Sequence, residues 1–239
     1  MSNLETEKTY AIFSSPLNKK LIAELKDKGK KVVIFPSVSA EKIELTETAK
    51  TKLKNLTEFD WLIFTDVFAV DFFVEVLREL EIDLFELDAI RVCALGEAVA
   101  DRLRFDQIHA DLIPAKIDEK RVISTISEYS IENIENLRFL VISEIYSKFF
   151  ANSKFELFPI YQAKFTDESQ KAKSAALLKG GAIDEFIFSA PEDLVSLKFL
   201  CFGDELADVL TEMKISATSE SAYQSLLDYG LRPLYFHLN

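Results

Sequence analysis

The sequence predicts an α/β fold in which parallel sheets are covered by helices on both faces. Short apolar runs alternate along the chain with amphipathic segments of helical period, an alternation that is typical of βα units. Similar pieces also recur in the same order in the two halves of the chain. With 239 residues, 49% of them hydrophobic, the chain can form one large or two small domains with buried cores. We therefore expect two similar lobes, each with its own parallel sheet.

The first βα unit starts near residue 10. The run 10–13 predicts a strand, and Ser15 followed by Pro16 supplies an N-cap and a first-turn proline for a helix. Gly29 ends this helix, and the apolar run 32–35 predicts a second buried strand.

The rest of the chain repeats this pattern. Val70, Phe73 and Leu77 place one apolar stripe on the helix that follows the next strand. The further runs predicted as strands are 61–64, 92–95, 108–113, 139–142, 155–161, 185–188 and 199–202.

Two pairs of segments form the internal repeat. FDWLIFTD (59–66) is similar to IDEFIFSA (183–190), and LGEAVADRL (95–103) is similar to FGDELADVL (202–210). Any two βα units resemble each other to some degree, which is the alternative explanation. The shared order of the matching pieces favours a repeat.

Charge and composition exclude several classes of function. The net charge of −12 disfavours nucleic acid as a partner, because duplex binding needs a basic surface that neutralises phosphates. No glycine-rich dinucleotide fingerprint and no P-loop can be assembled from the 6 glycines. No apolar stretch reaches the length needed to span a membrane, and the first residues contain no signal-peptide core. We therefore expect no membrane partner.

Few residues could bind a metal or form a disulfide. The only histidines, His109 and His237, are far apart in sequence, and there is no CxxC motif, so we expect no metal site. Cys93 and Cys201 each lie inside an apolar run. The absence of a disulfide framework favours a reducing, cytoplasmic location.

The same segments carry a family resemblance over most of the chain. Six pieces carry it, in this order: LIFTDVFAV (62–70), CALGEAVADRL (93–103), ADLIP (110–114), PIYQAKF (159–165), FIFSAP (186–191) and KFLCFGDELADVL (198–210). In these pieces the sequence resembles the uroporphyrinogen-III synthases, a family that is recognised by a series of patterns in order.

This resemblance implies a discontinuous first lobe. Residues 1–35 and 166–239 would form lobe one, and residues 39–158 would form lobe two. The connectors 36–38 and 159–165 would pair as a two-strand ladder, and the active site would lie in the cleft between the lobes.

The resemblance also implies a reaction. The family cyclises hydroxymethylbilane, a linear tetrapyrrole, to uroporphyrinogen III with inversion of the last pyrrole ring and loss of water, in haem biosynthesis. Departure of the hydroxyl gives an azafulvene, and ring attack gives a spiro intermediate that reopens and closes again. No cofactor is implied, and we expect a monomer whose partner is this small substrate.

Tyr161 is the catalytic candidate, because PIYQAKF (159–165) matches the family's tyrosine on the returning connector. A phenol with a pKa of about 10 is protonated at neutral pH and could donate to the departing hydroxyl. The alternative is an aromatic residue that packs the hinge with its hydroxyl at the rim.

The substrate candidates lie mostly just past strand ends. Because substrate and protein are both acidic, the substrate carboxylates must be bound locally, and helix N-termini can do this through backbone N–H groups and the helix dipole. Ordinary capping turns are the alternative at each position. The candidates are Ser14, Ser15, Thr65, Asp66, Val67, Gly96, Glu97, Ser143, Ser189, Ala190, Lys198, Gly203 and Asp204.

Several of these positions depart from the family pattern. Thr-Ser-Pro is replaced at 65–67, and the threonine of Gly-x-x-Thr-Ala is missing at both 96–100 and 203–207. Acidic residues beside a poly-anionic substrate are unfavourable. The acidic residues at such positions are Asp66, Glu97, Glu144 and Asp204. A catalytically silent two-lobe homologue that binds another ligand or a protein partner is therefore the alternative to a divergent enzyme.

Overall fold

The computed structural model describes residues 8–117, 119–145, 147, 150, 155–201, 210 and 213–238. The chain divides into two compact units, unit one with residues 1–39 and 164–239 and unit two with residues 40–163. Among the described residues, each unit contains a five-stranded sheet, in which most neighbouring strands pair in parallel. The predicted α/β class, with two largely parallel sheets flanked by helices, is confirmed.

The elements alternate along the chain as the sequence predicts. The strands are β1 (Thr9–Phe13), β2 (Lys31–Phe35), β3 (Val38–Lys42), β4 (Trp61–Phe64), β5 (Arg91–Ala94), β6 (Phe139–Glu144), β7 (Glu156–Phe165), β8 (Glu185–Phe188), β9 (Lys214–Ala217) and β10 (Leu234–Tyr235). The helices are α1 (Lys19–Asp27), α2 (Glu47–Lys54), α3 (Val67–Glu79), α4 (Glu97–Phe105), α5 (Glu119–Tyr129), α6 (Glu168–Lys179), α7 (Pro191–Cys201) and α8 (Glu220–Asp228).

Sheet one, in unit one, has the strand order β10-β9-β8-β1-β2. Its central strands β1 and β8 bury phenylalanines that pack against one another. The ring of Phe13 lies 5.1 Å from that of Phe186 and 6.2 Å from that of Phe35, measured between centroids. These ring contacts pack the three neighbouring strands β8, β1 and β2 against one another.

Sheet two, in unit two, has the strand order β3-β7-β6-β4-β5. Every residue of β4 is buried, and β6 is buried along its whole length, as expected for parallel strands covered on both faces. Strand β7 runs from Glu156 to Phe165 and so includes the segment predicted as the returning connector. It lies beside β3 in the sheet.

Two predicted strands are wrong. The run 199–202 is helical as far as Cys201, the last residue of α7, and Phe202 lies outside the described residues. The run 108–113 contributes only an isolated bridge between Cys93 and Leu112. Short apolar runs do not distinguish a buried strand from a buried helical turn by their pattern alone.

The first helix also begins later than predicted. Ser15 caps a short 3₁₀ turn, Pro16–Asn18, with its hydroxyl accepting from the Leu17 N–H. The α-helix follows at Lys19–Asp27. None of the helices in the described part of the chain is long and apolar enough to cross a bilayer.

Candidate functional site

In unit two, Thr65, Asp66 and Val67 form the turn between β4 and α3. Asp66 is the N-cap of α3, and its Oδ1 accepts from the Ala69 N–H at 3.0 Å. The Thr65 hydroxyl donates to the other carboxylate oxygen of Asp66 at 2.8 Å. Thr65 and Val67 are buried. A carboxylate of the protein itself therefore already occupies the positive end of this helix.

Gly96 forms the equivalent turn between β5 and α4. Its φ of 110° and ψ of 160° lie in a region that only glycine adopts readily. As the N-cap of α4 it supplies no side-chain hydrogen bond, and Glu97 is the first helical residue, half-buried. The start of α4 therefore keeps a helix dipole without a capping side chain, which suits an incoming anion. Glu97 places one acidic residue in this first turn.

Ser143 and Tyr161 lie within sheet two. Ser143 is fully buried in β6, and its hydroxyl lies 3.3 Å from the Glu144 carbonyl oxygen. Tyr161 is 1% exposed. Its ring stacks on Phe72 at 5.7 Å and lies tilted against Phe68 at 5.8 Å. The aromatic ring of Tyr161 is thus a packing element of this unit.

In unit one, Ser14 and Ser15 follow β1. The Ser14 hydroxyl accepts from the Ser37 N–H at 3.1 Å and lies 3.3 Å from the Ser37 hydroxyl. Ser14 is exposed and Ser15 is half-buried. Parallel pairing of β1 with β2 brings Ser14 and Ser37 together at the carboxyl edge of sheet one. Ser37 is not among the candidates predicted from the sequence, although it follows a predicted strand almost as directly as Ser14 does.

Ser189 and Ala190 follow β8, and their backbone N–H groups are occupied. The Asp193 Oδ2 accepts from the Ser189 N–H at 2.7 Å and from the Ala190 N–H at 3.3 Å. Asp193 is 1% exposed. Burial raises the pKa of Asp193 to about 6, against the lowering effect of hydrogen bonds from both N–H groups and from Asn18.

Asp193 is not among the residues predicted from the sequence. It stands three residues after Ala190 and one turn into α7, the spacing of an acidic side chain that reaches back to a helix start. That spacing is the signal that could have identified it. Ser219 was also missed; its hydroxyl donates to the Ser189 carbonyl oxygen at 2.8 Å and caps α8 by accepting from Ala222.

Lys198 lies within α7 rather than at a strand end. Its Nζ donates to the Tyr229 hydroxyl at 2.7 Å and lies 4.6 Å from the centre of that ring. Gly203 and Asp204 lie outside the described residues. The structure therefore brings Ser189 and Ala190 together with Asp193 and Ser219, whereas Lys198 contacts the residue that follows α8.

Neither cysteine of the chain faces solvent. Cys93 and Cys201 are buried, and burial raises the pKa of the Cys93 thiol. Within the described ranges, no three His, Cys, Asp or Glu side chains cluster in a way that could hold a metal ion.

The chain is similar to known proteins in both sequence and fold. The family profile described as uroporphyrinogen-III synthase HemD matches residues 19–237. A curated relative, the porphyrin biosynthesis protein HemD of Ruminiclostridium josui, is 21% identical over 236 residues, which is 90% of this chain and 47% of the relative. The chain thus spans about half the length of that relative.

Solved structures of uroporphyrinogen III synthase from Thermus thermophilus share the fold. One has a TM-score of 0.65 at 16% identity, with 95% of this chain and 92% of that chain covered. A wild-type structure from the same organism has a TM-score of 0.65 at 18% identity, with 95% and 91% covered. At such identities the likeness shows the fold alone. The profile match covers most of the sequence, and the chain therefore belongs to the uroporphyrinogen-III synthase HemD family.

Proposed function

We propose that this protein is a uroporphyrinogen-III synthase, which cyclises hydroxymethylbilane to uroporphyrinogen III with inversion of the last pyrrole ring and loss of water. The family match over residues 19–237 carries this proposal. The fold supports it, because each unit places βα turns at the carboxyl ends of parallel strands, where open α/β sheets bind ligands.

Binding of a poly-carboxylate substrate has to be local. At a net charge of −12, long-range electrostatics repel such a ligand. In unit two, the start of α4 at Gly96 is the first candidate, since no side chain caps it, although Glu97 adds a negative charge in the first turn of that helix. In unit one, the exposed Ser14 offers a hydroxyl that can donate a hydrogen bond.

The turns at Asp66 and at Ser189 are weaker candidates for carboxylate binding. Asp66 caps α3, and Asp193 accepts from the Ser189 and Ala190 N–H groups. A substrate carboxylate there would have to displace, or sit beside, a carboxylate of the protein, and like charges at short range are unfavourable. We therefore assign carboxylate binding first to Gly96 and Ser14. Val67 and Ser143 are buried, and Glu97 is the acidic first residue of α4, so we assign no carboxylate contact to these three side chains.

Tyr161 remains the proposed general acid. Its phenol would donate a proton to the departing hydroxyl and so assist formation of the azafulvene. The aromatic packing against Phe68 and Phe72 supports a fixed ring orientation, which general acid catalysis requires. The same packing is equally expected of a structural residue, so the role of the hydroxyl has to be tested separately from the ring.

Inversion of the last ring depends more on how the protein positions the two ends of the folded substrate than on activation by catalytic groups. The linear tetrapyrrole closes to the uninverted isomer without a catalyst, so the protein has to hold the reacting ends in the geometry of the spiro intermediate. Positioning of this kind supplies several kcal/mol. Backbone N–H groups and hydroxyls suit this task, because they bind anions without moving.

The decisive experiment is an isomer assay. Purified protein receives freshly generated hydroxymethylbilane, and the two uroporphyrinogen isomers are separated by chromatography. The proposal predicts the III isomer, whereas a control without protein gives the I isomer. If only the I isomer forms at high protein concentration and calorimetry detects no binding of uroporphyrinogen, the protein is a catalytically silent homologue.

The oligomeric state, the cellular location and the partners of the protein are proposed as well. We propose a monomer that acts in the cytoplasm without nucleic acid. The two buried cysteines suit a reducing compartment, and the acidic charge disfavours binding to polyphosphate chains.

A further inference from the structure

We propose that a groove between Phe85 and Phe105 in unit two docks a basic amphipathic helix of a partner protein. The groove has a volume of about 600 Å³ and is lined by, among others, Arg78, Ile82, Leu84, Phe85, Asp88 and Phe105. We call it the Phe85–Phe105 groove.

Two phenylalanines form the apolar part of the groove. Phe85 is 78% exposed and Phe105 is 77% exposed, and they are the exposed phenylalanines of the part of the chain that the structure describes. Phe85 lies in the 3₁₀ turn Leu84–Ala89, from which Leu87 packs inward instead. Large aromatic side chains left in solvent along one concave surface are typical of protein interaction sites.

The rim of the groove is acidic. The segment 81–88, EIDLFELD, contains four acidic residues and no Lys or Arg, and all four acidic residues are exposed. Arg78 donates to Asp106 at 2.5 Å, so its positive charge is already matched. The unmatched charge at the groove is therefore negative.

This charge selects the occupant. An anionic membrane surface, an acidic peptide or a second copy of this chain, whose net charge is −12, would be repelled. A helix with lysines or arginines beside an apolar stripe fits both features. Its apolar side chains at i and i+4 would lie between the two phenylalanines, and its cations would lie near Asp83 and Asp88.

The groove lies away from the proposed substrate contacts. It is formed by the carboxyl-terminal ends of α3 and α4 and by the turn between α3 and β5, whereas Asp66 and Gly96 lie at the amino-terminal ends of the same two helices. Helix α3 has 13 residues, which is a length of about 20 Å. A partner in the groove would therefore leave those turns open.

A defined peptide probe tests the proposal. The probe is a fluorescein-labelled amphipathic helix of about 18 residues built from leucine and lysine, titrated with the full chain and followed by fluorescence anisotropy. We expect saturable binding that weakens about tenfold or more in the double variant Phe85→Ala/Phe105→Ala. Asp88→Asn and added salt should each also weaken the binding of the probe relative to the wild type at low salt.

Matched controls separate the groove from the general acidity of the protein. Leu17→Ala and Ile131→Ala remove other exposed apolar side chains, and Glu128→Gln removes an acidic charge outside the groove lining. All three should bind the probe like the wild type. Circular dichroism confirms that the double variant is folded, and its isomer assay should be unchanged, so this test stands apart from the proposed reaction.

Three outcomes overturn the proposal. The first is that the double variant binds the probe as tightly as the wild type. The second is that a probe with glutamate in place of lysine binds the wild type equally well. The third is a concentration-dependent dimer of the wild type that the double variant abolishes in sedimentation, because the occupant is then a second copy.

Discussion

Substitution of the buried Asp193 by asparagine should remove a pH-dependent penalty on folding. The carboxyl is 1% exposed, and burial raises its pKa from 3.8 to about 6. That difference is worth about 3 kcal/mol. Because the folded-state pKa is the higher one, the stabilising contribution is complete below the unfolded pKa and is lost as pH rises from about 4 to about 6.

Asp193→Asn keeps an oxygen that can accept from the Ser189 and Ala190 N–H groups, and it has no charge to bury. It also adds an amide donor near Asn18, whose Oδ1 lacks a hydrogen-bond partner. We therefore expect the variant to equal the wild type in stability at a pH of about 3.5, below the unfolded pKa. Above a pH of about 6 the free energy of unfolding of the variant should exceed that of the wild type by up to about 3 kcal/mol. The gain is reduced by the difference in strength between hydrogen bonds to a carboxylate and to a neutral amide.

The measurement is urea unfolding by circular dichroism at a series of pH values, with the free-energy difference between variant and wild type plotted against pH. Asp167→Asn is the matched control, because Asp167 also accepts a backbone N–H at a helix start. Hydrogen bonds from Ser169 and Gln170 lower its pKa, so its contribution is lost as pH falls, which is the opposite trend. A difference for Asp193→Asn that does not change with pH would refute the reasoning.

Three further predictions concern the candidate site. Gly96→Ala should destabilise unit two by about 1–3 kcal/mol, since alanine disfavours the observed positive φ; an unchanged melting temperature contradicts this. Tyr161→Phe should keep the fold and slow formation of the III isomer by about tenfold, or roughly 1.4 kcal/mol, if the phenol donates its proton. Full activity would make Tyr161 structural. Asp66→Ser retains an N-cap, and both Asp66→Ser and Glu97→Thr remove a charge that repels the substrate, so the activity of each variant should stay equal or rise. A loss of activity in a folded variant would show that the carboxylate is needed.

The pattern of the sequence predicts well wherever short-range geometry decides the structure. The buried strands β4, β5, β6 and β8 match the predicted apolar runs, because a strand covered on both faces needs continuous apolar residues. The helix start at Asp66 follows from the same kind of local signal. Such features depend on residues within a few positions of one another.

The pattern predicts poorly where a short apolar run is compatible with either a helix or a strand. Residues 199–201 continue α7 instead of forming a strand, and the run 108–113 makes one bridge to Cys93. A few apolar residues satisfy either a helix face or a strand, and the choice is made by the elements packed against them.

The sequence by itself determined the α/β class, the succession of βα units and the turns that would follow each strand, because periodicity and turn chemistry act over a few residues. Only the tertiary structure decided which of these turns remain available. It places the Asp193 carboxylate on the Ser189 and Ala190 N–H groups, whereas the start of α4 at Gly96 has no capping side chain. It also buries Tyr161 against α3. These outcomes depend on the distances between side chains and backbone groups in the folded chain, and those distances are set by how sheets and helices pack.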